Sequence, residues 1–139
     1  KPDIVHCSGW ISHLVPLYLK KAFKNDPIFS DAKVVLSLYD EYADCMFNQD
    51  MKSKIPVSGI KAKDLEVIKS PDGINLAKLA IQYADAVILG SEDIRQELLD
   101  FTESRKIPTL PYLPIDHPEG TYIRMYNNFY DKLLEQDAK

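Results

Sequence analysis

Lys1-Pro-Asp-Ile-Val-His-Cys-Ser-Gly-Trp10-Ile-Ser-His-Leu-Val-Pro-Leu-Tyr-Leu19 is the stretch that decides the fold. Ile4, Val5 and Cys7 form a short apolar run with β-branched residues, bounded by Pro2 and by Ser8-Gly9. That is the pattern of a strand buried on both faces in a parallel sheet. Trp10, Leu14, Leu17 and Leu19 then take up a helical spacing that runs into Lys20, Lys21 and Lys24, cations suited to the negative end of a helix dipole. Pro16 removes one backbone donor and crowds the carbonyl a turn earlier, so the helix either starts late, with Pro16 in its first turn, or kinks there. Strand, glycine turn and helix open a βαβ unit. In open α/β sheets ligands gather where the chain leaves a strand's carboxyl end, and His6, Ser8, Gly9 and Trp10 stand at that turn.

Downstream, Val34, Val35, Leu36 and Leu38 give a second buried strand within residues 32–39, one crossover unit after the first and parallel to it. From Asp40 to Lys69 the pattern loosens. Tyr42, Met46, Phe47 and Met51 read as one irregular helix, Ile55 to Gly59 as a break, and Leu65, Val67 and Ile68 as a short helix. Ser70-Pro71-Asp72 reads as a helix start with Ser70 at the N-cap, and Ile74, Leu76, Leu79, Ala80 and Tyr83 carry that helix. Residues 85–90 form a third buried strand, and Ser91-Glu92-Asp93 reads as the cap of a helix whose inward stripe is Ile94, Leu98 and Phe101. Ile107 to Leu110 is a weak fourth strand. After a proline-rich link from Pro111 to Pro118, residues 118–135 read as a C-terminal amphipathic helix carrying Tyr122, Met125, Tyr126, Phe129 and Leu133. The alternation predicts a single α/β domain over residues 1–139, a Rossmann-like parallel sheet flanked by helices. Ser8-Gly9, Tyr39-Asp40, Gly90-Ser91 and Pro111-Tyr112 fall on one edge of it.

The chain has 139 residues, a hydrophobic fraction of 45% and a charged fraction of 27%, which suits one ordinary globular domain with a real core. A net charge of −4 argues against nucleic-acid partners, which require clustered cations. No apolar run approaches the ~20 residues that span a bilayer, so no membrane association is expected. The chain opens without methionine, and the expectation is that it is a piece of something longer. Cys7 and Cys45 stand at no metal-ligand spacing and suit a reducing, cytoplasmic setting.

At the ligand edge each residue admits a structural and a functional reading. His6 is either a satisfied core histidine or a ligand group. Trp10 is either core or a wall on which a sugar ring stacks. His13, one turn further on, is expected to face solvent or a neighbouring loop. Tyr39-Asp40-Glu41 suit either a solvated loop or hydroxyl binding. Helix N-termini bind phosphate, but Glu92 and Asp93 beside Ser91 would repel it. There is no Walker loop, dinucleotide fingerprint, Cys/His metal cluster or nucleophile elbow, so no metal, no cofactor and no particular catalytic residue is assigned.

Residues 1–10 resemble the segment Pro-Asp-x-x-His-x-His-Asp-Trp-His of bacterial glycogen synthases and plant starch synthases. Residues 33–39 fall where that family has a strand ending in His-Asn. Residues 75–91 are similar to its helix–strand pair ending in Ala-Asp-x-Val-x-x-Val-Ser. The resemblance covers about residues 1–100 in order and spacing. It implies a hexosyltransferase of the two-domain GT-B type that moves glucose from a nucleotide sugar, ADP-glucose, to an α-1,4-glucan acceptor. It also implies that this chain is the second half of the N-terminal, acceptor-side domain, inactive alone, with His6, Trp10 and Ser91 as retained substrate-binding positions. Ser8-Gly9-Trp10-Ile11 replaces His-Asp-Trp-His, and Tyr39-Asp40 replaces His-Asn. The alternative is a non-catalytic glucan- or sugar-nucleotide-binding relative that kept the fold. An unrelated receiver-like signalling domain would need an acidic cluster where the chain has Ser8-Gly9.

Overall fold

The computed structural model describes residues 1–114 and 120–136. Four parallel strands, β1 (Ile4–Ser8), β2 (Lys33–Leu38), β3 (Ala86–Leu89) and β4 (Thr109–Leu110), lie side by side in chain order. Ile4 is in register with Lys33, Val35 with Ala86 and Val87 with Thr109. Every strand therefore sends its carboxyl end to the same edge, as the sequence predicts.

β2 is the most deeply set strand, with Val34, Val35, Leu36, Ser37 and Leu38 all buried. Side chains alternate across a strand, so both faces of the sheet must be covered. On one face Cys7, Val34, Leu36, Leu38 and Val87 pack against Ala77, Ala80 and Ile81 of α3 (Gly73–Tyr83) and Leu98 of α4 (Gln96–Ser104). On the other, Val35, Ala86, Ile88 and Leu110 meet Leu133, Tyr126, Phe129 and Tyr130 of α5 (Thr121–Glu135). Residues 118 and 119, where the sequence starts that last helix, lie outside the described residues. The question posed by Pro16 resolves as a late start. A 3₁₀ turn spans Trp10–Leu14, and α1 (Val15–Lys20) follows with Pro16 in its first turn, where a missing N–H costs nothing.

Three expectations are corrected. Residues 40–47 are turns and a bridge rather than an irregular helix, and Met46 pairs antiparallel with Asp72. The segment's helical pieces are α2 (Met51–Lys54) and a 3₁₀ turn at Ala62–Leu65. Its apolar residues Ile55, Ile60, Leu65 and Ile68 pack on Leu17, Leu76 and Leu79, following the outer surface of α1 and α3 instead of a stripe of their own. The N-cap of α3 is Asp72, not Ser70. Asp72 accepts from the Asn75 backbone N–H at 2.9 Å and from its Nδ2 at 2.7 Å, while the Ser70 hydroxyl donates to Asp72. Nor do Ser91, Glu92 and Asp93 cap α4: Arg95 precedes its first turn, and Ser91 Oγ accepts the Asp93 N–H at 3.2 Å within a local turn.

Asp85, in the stretch that resembles the family's Ala-Asp pair, sits at the opposite edge from the strand ends. Its carboxylate accepts from Lys20 at 2.6 Å and from the Val34 N–H at 2.7 Å, tying α1 to the start of β2.

Candidate functional site at the carboxyl edge of the sheet

Gly9 follows β1 with φ 79° and ψ 157°, a backbone state that favours glycine, and it delivers Trp10 to the edge. Trp10 packs against two rings from the next excursion: Tyr42 at 5.1 Å between centroids and Phe47 at 6.1 Å. After β2 the chain presents Tyr39, Asp40 and Glu41, and after β3, Gly90 and Ser91. The Tyr39 ring lies against Gly90 so closely that a Cβ there would come within 2.4 Å of it. Tyr39, Asp40, Glu41, Gly90 and Ser91 line an open depression of about 400 Å³. Tyr39 and Glu41 also line a smaller cavity, about 10 Å³, with Trp10, His13, Tyr42 and Phe47. Trp10 and Ser91 thus serve neighbouring spaces that share one wall.

His6 stands elsewhere. Its side chain faces α5, with Nδ1 2.6 Å from the Tyr130 hydroxyl and Nε2 2.7 Å from Ser37 Oγ. Both ring nitrogens are engaged, and partial loss of hydration lowers its pKa. The structure does not bring His6 together with Trp10 and Ser91.

Electrostatically the edge is acidic, with one cation clamped into it. Arg95 donates from its backbone N–H to Asp40 Oδ2 at 2.9 Å, and its guanidinium grips both oxygens of Asp44 at 3.0 and 3.3 Å. The Arg95 fork lowers the Asp44 pKa, and Asp44, then Asp40, raise that of Arg95. The carboxylate at the start of α4 is therefore Asp40, brought from the end of β2, and Glu41, Glu92 and Asp93 remain exposed around it. An anion would meet like charge there.

His13, expected from the sequence to face solvent or a neighbouring loop, is buried instead. It is 4% exposed, its Nδ1 has no partner, and burial lowers its pKa to about 4. Its spacing, four residues before the fully buried Leu17, carried the signal. Among the described residues no group of His, Cys, Asp and Glu could hold a metal ion, and no helix is long and apolar enough to cross a membrane.

Comparison with known proteins agrees with this architecture. Residues 1–108 match the starch synthase catalytic domain family. The chain is 30% identical over 99 residues to a glycogen synthase of Photobacterium profundum, covering 71% of this chain and 19% of that protein. It is 32% identical over 100 residues to one from Aeromonas hydrophila, covering 70% and 20%. Against the glycogen synthase of Chlorobium phaeobacteroides it is 30% identical over 144 residues, covering 98% and 28%. The chain thus spans about a fifth to a quarter of the length of these relatives. No solved structure matches it significantly. With the family's segments in order on a parallel sheet whose strand ends meet at one edge, the chain belongs to the starch synthase catalytic domain family.

Proposed function

We propose that this chain supplies the acceptor-side surface of a cytoplasmic GT-B glycosyltransferase that transfers glucose from ADP-glucose to the non-reducing end of an α-1,4-glucan. The observation that carries this reading is the family match over residues 1–108. The geometry supports the division of labour within it. Diphosphate recognition needs oriented backbone donors or free cations. Here Arg95 is taken by Asp40 and Asp44, and the rim carries Glu41, Glu92 and Asp93. A neutral, hydroxyl-rich glucan suits such an edge. Trp10 offers it an apolar wall, Ser91 a hydroxyl and Glu41 a carboxylate acceptor, while His6 fastens α5 to the sheet through Tyr130 and Ser37.

The product of the complete gene, incubated with radiolabelled ADP-glucose and a glycogen primer, should incorporate glucose into the polymer. The 139-residue chain alone should show no transfer, and calorimetry should find ADP-glucose binding no tighter than millimolar. Micromolar binding would overturn the acceptor-side assignment. Glucan binding by the gene product without transfer from any nucleotide sugar would favour the non-catalytic relative.

A further inference from the structure

Among the described residues His13 Nδ1 is the buried side-chain polar atom without a hydrogen-bond partner. Buried polar groups are almost always paired, so an orphan in a site requires an explanation. His13 lines the cavity of about 10 Å³ together with Trp10, Tyr39, Glu41 and Tyr42. That volume admits roughly one water-sized group, such as a single hydroxyl. With its pKa near 4 the imidazole is neutral at neutral pH, so it offers one donor and one acceptor, the complement of an alcohol.

Beside the cavity, the Trp10 and Tyr42 rings meet at an angle of 43°, and Tyr42 is 42% exposed. An aromatic residue left open next to an unmet polar atom makes a ring-sized surface with a polar anchor, which is how small-ligand sites fix orientation. The surface is also held in place. Arg95 grips Asp40 and Asp44, the residues two positions to either side of Tyr42. Gly73 donates its N–H to the Cys45 carbonyl at 2.9 Å, and a Cβ on it would fall 1.8 Å from the Tyr42 carbonyl oxygen. Tyr42 therefore stands on a braced turn, and little ordering remains to be done on binding. The exposed carboxylate of Glu41 disfavours an anionic ligand and is available to accept from a hydroxyl, whereas Asp44 is charge-paired with Arg95.

We propose that Tyr42 and Trp10 stack one pyranose ring of a neutral α-glucan, and that one hydroxyl of that sugar enters the cavity and hydrogen-bonds His13 Nδ1. The assignment rests on the glucan reading above and adds Tyr42 and His13 as residues that determine what the edge accepts.

The test is titration of the 139-residue chain with maltotriose, read by the emission of its single tryptophan and by the imidazole nitrogen shifts of His13. Wild type should give a saturable response in both signals. Tyr42→Ala should weaken binding about tenfold, whereas Tyr42→Phe, which keeps the ring, should bind like wild type. His13→Phe fills the cavity and removes the orphan nitrogen; it should lose binding while melting at or above the wild-type temperature. The proposal is overturned if Tyr42→Ala and His13→Phe, both folded, titrate like wild type. It is equally overturned if Trp10 responds at saturation with no His13 shift, or if wild type gives no response at tens of millimolar maltotriose. In each case glucosyl transfer by the complete gene product judges the glucan reading independently.

Discussion

Burial holds the His13 imidazole at a pKa of about 4, against 6.5 for the free side chain. The unfolded chain therefore takes up a proton between those values that the native state refuses. The sign follows from linkage: a depressed native pKa makes stability fall as pH falls from 6.5 towards 4, with the full contribution present above 6.5. His6, also lowered by burial, acts in the same direction. Glu41, Tyr39 and Tyr42 are the titratable groups that share the His13 cavity, and none of them brings a positive charge. Denaturant melts at about pH 4.5 should show up to about 3 kcal/mol less stability than at about pH 7.5, and His13→Phe should remove most of that slope. Equal slopes in the two proteins would show that His13 is not the group responsible. Under more acid conditions carboxylates take over. The Lys61 backbone N–H and Lys21 hold Asp64 below its usual pKa; at Asp72, burial acts upward but is outweighed by the Ser70 and Asn75 donors.

Among the elements β3, like β2, has a strand on either side, here β2 and β4, at the level where α5 closes the second face. Ile88, 1% exposed, packs there with Val35, Ala86, Leu110 and Leu133. Ile88→Ala should cost about 2–5 kcal/mol through the lost methylenes and the cavity left behind. Ile11→Ala, at a residue 82% exposed, should stay within about 0.5 kcal/mol of wild type. A loss below ~1 kcal/mol at Ile88 in chemical denaturation would remove β3 from the core. The strands were legible in the sequence because both-face burial writes itself as a continuous apolar run, as in Val34 to Leu36. The helix starts were not. The carboxylate at the head of α4 comes from Asp40, 55 residues away, and the cap of α3 depends on which of Ser70 and Asp72 accepts the Asn75 backbone N–H, since its side-chain amide meets both. The excursion between β2 and α3 was equally opaque, since Ile55, Ile60 and Leu65 take their arrangement from α1 and α3. At the site the edge was legible from strand order, and Trp10 and Ser91 do line it. Tyr42 was not, because the turn that presents it is set by Arg95 and Gly73.

For the molecule as a whole, the sheet order β1-β2-β3-β4 repeats the order of the chain, and this has a kinetic meaning. Each strand after the first pairs with the one made immediately before it, so no strand must wait for a partner that follows it. A chain emerging from the ribosome can extend the sheet at one edge, one crossover at a time. Each pairing is still non-local, with Ile4 facing Lys33 and Val35 facing Ala86, so every crossover must close a long loop before its contacts form. The longest closure, from β2 to β3, is eased by the 55–68 segment, whose cluster can condense on Leu17 of α1 beforehand. Pulsed hydrogen exchange during refolding should therefore protect the β2 amides paired with β1 no later than the Val87 amide, which bonds the Pro108 carbonyl beside β4. Earlier protection at Val87 would mean that the sheet grows from its other side. If the order holds, nascent chains stalled after β2 already carry the β1–β2 pairing, and the braced turn bearing Tyr42 can set only once Gly73 and Arg95 have left the exit tunnel.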